Sequence, residues 1–143
     1  QHILDEDGQK CLDFIISASL NMNRLIEDLL TFSRVTSEEH RVEPIEMKVL
    51  LEEVSGELAR FIIEKQADIL CFEIPEFIQA NPTTIRQLFH NLLINAIKFH
   101  HSGRKPQIFI SGIDQGDHWL FEIKDNGIGI PNDMQEKIFQ LFK

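Results

Sequence analysis

The sequence predicts an α/β (α+β) two-layer sandwich preceded by one long helix of the bundle type. Three observations carry this reading. An unbroken heptad-like apolar seam occupies the first quarter of the chain. Stretches of helical period then alternate with short runs of β-rich residues, and the last third switches to period two. That order suggests helices packed on one side of a mixed sheet.

The seam comes first. Cys11, Ile15, Ala18, Met22, Leu25, Leu29 and Phe32 recur at alternating spacings of four and three, which predicts a coiled-coil-like helix. Leu12, Ile26 and Leu30 widen its apolar face beyond what one neighbour can cover, so the helix wants partners on more than one side. The polar stretch 33–43 reads as its exit. A short extended piece around Val42 to Ile45 leads into a helix on which Met47, Leu50, Leu51, Val54, Leu58, Phe61 and Ile62 share a face. Ile69 to Ile74 and Phe77 to Ala80 read as strands separated by Pro75, which cannot donate to a ladder.

Asn81-Pro82 offers an N-cap followed by proline at the first helical position, predicting a helix to about His100 that Gly103 and Pro106 close. Its buried stripe is expected to be Ile85, Leu88, Phe89, Leu92 and Ala96, with Gln87, Asn91, Asn95 and Lys98 as a polar stripe beside it. Ile108 and Ile110, then Trp119, Phe121 and Ile123, alternate as two strands joined through Gln115-Gly116-Asp117. Two units are expected: residues 1–36, the bundle helix, and residues 41–143, the sandwich.

Composition excludes several functions. With 23 acidic against 14 basic side chains the net charge is -9, which repels phosphate backbones, so no nucleic-acid partner is expected. The two cysteines, Cys11 and Cys71, have neither metal-site spacing nor the density of a secreted scaffold, which fits a reduced, cytoplasmic setting. No apolar run reaches the roughly 18 to 20 residues of a membrane span, so this segment is expected to make no membrane contact, whatever lies upstream of Gln1.

Two clusters carry candidate chemistry. Asparagine is a mediocre helix former, so Asn91 and Asn95 on one face among aliphatics ask for a reason beyond propensity, although a solvated face accounts for them equally well. Asp125-Asn126-Gly127-Ile128-Gly129-Ile130 follows a strand end. A carboxylate there can accept from an exocyclic amine, and glycines let a planar ring or phosphate approach the backbone. Taken alone, this is more economically a tight turn.

Together, in this order and separation, Asn91-Leu-Leu-Ile-Asn95-Ala-Ile-Lys98-Phe99 and Asp125-Asn-Gly127-Ile-Gly129 resemble the N box and G1 box of sensor histidine kinases of two-component systems. Ile138-Phe139-Gln-Leu-Phe142 looks like the F box that opens the ATP lid. The stretch from Asp13-Phe-Ile through Leu29-Leu-Thr-Phe-Ser33-Arg34-Val35 resembles the second helix of the dimerisation and phosphotransfer hairpin. The resemblance implies the histidine-kinase-type ATP-binding fold, truncated at its C-terminus, with ATP and Mg2+ as cofactors. It implies that Asn91 and Asn95 hold the metal ion and phosphate oxygens, Lys98 lies against the phosphates and Phe99 stacks on adenine. Asp125 would accept from the adenine amino group, with Gly127, Gly129 and Ile130 completing the nucleotide surface. The implied partners are a second copy of the parent protein and a response-regulator receiver domain.

Two parts of the family pattern are not found: the H box with its phosphoacceptor histidine and the second glycine-rich box. No catalytic residue is therefore expected in the chain itself. His40, followed by Arg41-Val-Glu43-Pro44, lacks the adjacent acid that serves as base and is read as a decoy. The gyrase, Hsp90 and MutL kind of ATPase is a weaker alternative, because its water-activating glutamate is replaced here by Asn91, which cannot act as a base. A non-catalytic dimerisation or docking module is the other.

Overall fold

A computed structural model describes residues 6–37, 41–136 and 138. The chain divides into two units, residues 1–40 and residues 41–143. The first is a single helix, α1 (Glu6–Ser37), which continues through residues read from sequence as the start of its exit. Phe14, Ile15, Leu20, Met22, Leu25 and Leu29 on it are all exposed, so its apolar stripe is not buried within its own unit.

The second unit runs β1 (Glu43–Glu46), α2 (Met47–Glu57), α3 (Ala59–Lys65), β2 (Asp68–Phe72), β3 (Phe77–Ala80), α4 (Pro82–Lys98), β4 (Gln107–Asp114), β5 (Trp119–Asp125) and α5 (Asn132–Gln135). One helix expected over residues 47–62 is broken at Leu58, whose backbone sits at φ -93°, ψ 3°. Gly56 weakens the helix just before the break, and Leu58 is buried, so burial favours the bend that propensity does not resist. At the end of α3, Gln66 is left-handed (φ 53°), with Ala67 N–H donating to Ile62 O and Gln66 N–H to Ile63 O. That is a Schellman arrangement with glutamine where glycine is usual.

The strands form two sheets. β1 and β3 pair antiparallel, while β2, β4 and β5 make a mixed sheet with β4 central, parallel to β2 and antiparallel to β5. The two runs around Pro75 thus enter different sheets. Glu73, at φ 50°, ends β2, and Pro75 then packs over Gly112 of β4, where a Cβ would collide with the proline ring. Ile108 and Ile110 of β4 are fully buried against Met47, Leu50 and Val54 of α2 and Phe89, Leu93 and Ile97 of α4. Phe89 meets Phe121 edge to face, 5.5 Å between ring centres. The two-layer reading is therefore realised, with α2 and α4 packed on one face of the three-stranded sheet.

Helix α4 begins as expected: Asn81 accepts from Thr84 N–H at 3.0 Å and Pro82 occupies the first turn. Its buried stripe differs, however. Phe89, Leu93, Ala96 and Ile97 face the core, whereas Leu88 and Leu92, expected inside, are 48% and 41% exposed. The helix carries two adjacent apolar stripes, and the position of β4, which periodicity does not contain, decides between them. Arg86 on the outer side reaches Glu53 and Glu57 of α2, pinning the two helices together at the surface.

Candidate nucleotide site at the end of helix α4

Asn91, Asn95 and Phe99 follow one another at every fourth position, so the three lie along one face at the C-terminal end of α4, about 12 Å from first to last at 1.5 Å per residue. All three are exposed, and Lys98 beside them is exposed too. Asn91 Oδ1 accepts from Gln87 Nε2 at 3.0 Å, which fixes the orientation of the Asn91 carboxamide. Lys98 holds its ammonium over the ring of Phe61 on α3, 5.8 Å from the centre. Phe61 lies three residues past the break at Leu58, on the helix that packs beside α4. His100 donates from Nδ1 to the Ile97 carbonyl at 2.9 Å, closing the last turn of the helix.

The second cluster docks onto this helix end. The backbone N–H of Ile128 donates to the Phe99 carbonyl at 2.9 Å, joining the turn after β5 to the C-cap of α4. Gly127 lies against that same carbonyl, and a Cβ there would overlap it as well as Asp125 Oδ1. Asp125 Oδ1 accepts from Gly127 N–H at 2.8 Å, an Asx turn that sets the carboxylate at the strand end. Gly129 adopts φ 71° with open space where its side chain would be. Phe99, Ile128 and Ile130 leave apolar surface exposed around the turn, at 58%, 58% and 50%.

The structure thus brings Gly127 against both the Phe99 carbonyl and the Asp125 carboxylate, with Asn91, Asn95 and Lys98 on the C-terminal half of the same helix. Gly129 and Ile130 continue the turn. Sequence reasoning missed Phe61, read as one more apolar residue of a helix, and Asn126, whose side-chain contacts cross 19 and 21 positions. Of the F-box stretch only Ile138 falls among the described residues; Phe139 to Phe142 lie outside them, as does His40. Two open clefts of about 720 and 650 Å³ sit on other faces, and neither is lined by a residue of the two clusters. Among the described residues no three His, Cys, Asp or Glu side chains gather as a metal site, and no helix is long and apolar enough to cross a membrane.

Residues 80–143, which hold both clusters, match the family described as histidine kinase-, DNA gyrase B-, and HSP90-like ATPase. Across its full length the chain is 36% identical to cyanobacterial phytochrome A of Nostoc sp., of which it covers 18%. It is 28% identical to the sensor histidine kinase RcsC of Escherichia coli K12, with 93% of the chain and 15% of that protein aligned. Among solved structures it resembles the histidine kinase ThkA in complex with the response regulator TrrA, at a TM-score of 0.72 and 24% identity, over 100% of this chain and 42% of that one. The chain spans under a fifth of the length of these curated relatives.

The fold agrees with an ATPase-type domain of that family. The chain holds catalytic-domain sequence of the sensor-histidine-kinase type, and residues 80–143 are the stretch that matches the ATPase family.

Proposed function

We propose that residues 41–143 bind Mg-ATP on the exposed face between the end of α4 and the Asp125 to Ile130 turn, and that the parent protein passes the γ-phosphoryl group to a histidine and thence to a response-regulator aspartate. The observation that carries this reading is the bond from Ile128 N–H to the Phe99 carbonyl, which holds an exposed aromatic ring beside a carboxylate-bearing glycine turn. Phe99 offers a face for adenine to stack on, and Asp125 an acceptor for its amino group. Gly129, open on its side-chain side, lets a ligand approach the backbone.

The donor set fits magnesium. That ion prefers oxygen ligands and keeps several waters, so two carboxamide oxygens from Asn91 and Asn95 with phosphate oxygens make a reasonable share of its shell. When bound it neutralises charge on the phosphates. Lys98 leaves its seat over Phe61 to meet the same charge, at a cost of about 1 kcal/mol for an exposed cation–π contact. We further read α1 as the second helix of a dimerisation and phosphotransfer hairpin, whose exposed seam pairs within a homodimer, and place the parent's catalytic region in the cytoplasm. The complex of ThkA with a response regulator supports a receiver domain as the second partner.

Calorimetric titration of the chain with Mg-ATP tests the site. Asn95→Asp and Asp125→Asn are each expected to weaken binding by about tenfold or more, the latter with reduced preference for adenine over guanine nucleotides. Unchanged affinity in both variants would show that the nucleotide binds elsewhere or not at all.

A further inference from the structure

We propose that Asn126 is the positioning residue of this nucleotide site, and that it sets the selectivity for adenine by replacing a rung of the β-ladder with its own carboxamide. The inference rests on the nucleotide reading above and concerns a residue that the reading does not place against ligand.

The β4–β5 ladder ends with Asp125 opposite Ile108. One position further the chain must leave the sheet to form the turn, and there a terminal strand residue would ordinarily fray. Asn126 prevents this with three hydrogen bonds. Its backbone N–H donates to the Gln107 carbonyl at 3.2 Å, its Oδ1 accepts from Gln107 N–H at 2.9 Å, and its Nδ2 donates to the Lys105 carbonyl at 3.0 Å. The side chain acts as a peptide group would, offering an acceptor to Gln107, the first residue of β4, and a donor to Lys105 just before the strand, so the ladder is continued past its end while the backbone turns away. The two partners also fix which way round the amide sits: an N–H needs the oxygen and a carbonyl needs the nitrogen.

The residues on either side of Asn126 are the ones the site uses. Asp125 precedes it, with Oδ1 held by Gly127 N–H, so the ligand's amine is directed to Oδ2. Gly127 and Ile128 follow it and lock onto the Phe99 carbonyl. Releasing Asn126 would free the middle of a segment anchored at both ends by ligand-facing groups, and the acceptor would lose its bearing on the Phe99 ring. A misplacement of about an ångström at such a group costs far more in recognition than in stability.

Asparagine is required in particular. Asn126→Asp keeps the acceptor for Gln107 but turns an oxygen toward the Lys105 carbonyl, and Asn126→Ser is too short to span both partners. The chain and both variants are titrated with Mg-ADP and Mg-GDP, and Leu50→Ala, a core change remote from the turn, serves as a control of lowered stability. The expected result is an affinity for ADP lowered about tenfold in Asn126→Asp, the loss of a charge-free hydrogen bond plus an unpaired carbonyl. The ADP-to-GDP ratio is expected to narrow in Asn126→Asp and less so in Asn126→Ser, while Leu50→Ala keeps the ratio of the unaltered chain. Hydrogen exchange at the Gly127 and Ile128 amides should quicken in the Asn126 variants alone. If the unaltered chain prefers ADP and both Asn126 variants keep that preference, or if Leu50→Ala loses it equally, the positioning role is overturned while the site stands. If the unaltered chain binds neither nucleotide, the site itself is wrong and the inference falls with it.

Discussion

Gly127 and Gly129 are two positions apart and need glycine for different reasons. At Gly127 the obstacle is a neighbour: the Phe99 carbonyl oxygen, part of the backbone and bonded to Ile128, cannot step aside for a methyl group. At Gly129 there is open space, and only the left-handed backbone resists a side chain. Gly127→Ala is therefore expected to lower stability by about 1 to 3 kcal/mol and to abolish nucleotide binding. Gly129→Ala is expected to cost about 1 to 2 kcal/mol and to leave weakened but measurable binding. Chemical denaturation with parallel titration separates the two. Asp125 and the glycines were legible in the sequence because a turn is encoded within a few residues. The ties of Asn126 to Lys105 and Gln107, and of Lys98 to Phe61, were not, because each joins residues whose proximity depends on the packed fold.

Helix α4 carries the site at one end and the core along its length. Its start was legible from Asn81-Pro82, a signal confined to one turn, but its inward face was not. Leu88 and Leu92 keep the helical period as faithfully as Leu93 and Ile97, yet only the latter pair meets β4. Truncation distinguishes the stripes: Leu93→Ala is expected to cost about 2 to 5 kcal/mol through an unfilled cavity, and Leu88→Ala less than about 1 kcal/mol. Equal losses in denaturation midpoint would mean that both stripes are buried in solution. The break between α2 and α3 was likewise invisible to periodicity, since Leu58 keeps its place in the apolar pattern while its backbone leaves the helix. Phe61, whose ring lies under the Lys98 ammonium, follows just after that break.

At the scale of the whole chain, the contrast is between a unit with a buried apolar core and a helix whose apolar seam is exposed. Leu25 and Leu29 are about half exposed on α1 despite lying on a heptad seam, a pattern that elsewhere in proteins marks a surface made to be covered. Light scattering is expected to report self-association that increases with concentration and disappears in Leu25→Asp with Leu29→Asp, with nucleotide affinity unchanged. A monomer at all concentrations would leave the seam without its proposed use. The seam itself was fully legible, since a heptad needs no knowledge of the partner; the separation into two sheets was not, since pairing of β1 with β3 and of β2 with β4 spans distances that no local signal records.

The parallel pairing of β2 with β4 sets the order in which the domain can be assembled. Residues 68–72 must wait for residues 107–111, so this half of the sheet forms only after the intervening strand and all of α4 have been made and folded back. Such long loops are entropically slow to close, and mixed α/β topologies with many of them fold more slowly than helical bundles. The Phe99–Ile128 bond comes later still, because it also needs β5 in place. During synthesis from the N-terminus, α1 and α2 can become helical before the surface between α4 and the Asp125 to Ile130 turn exists, and that surface arises only once β5 has been made and paired.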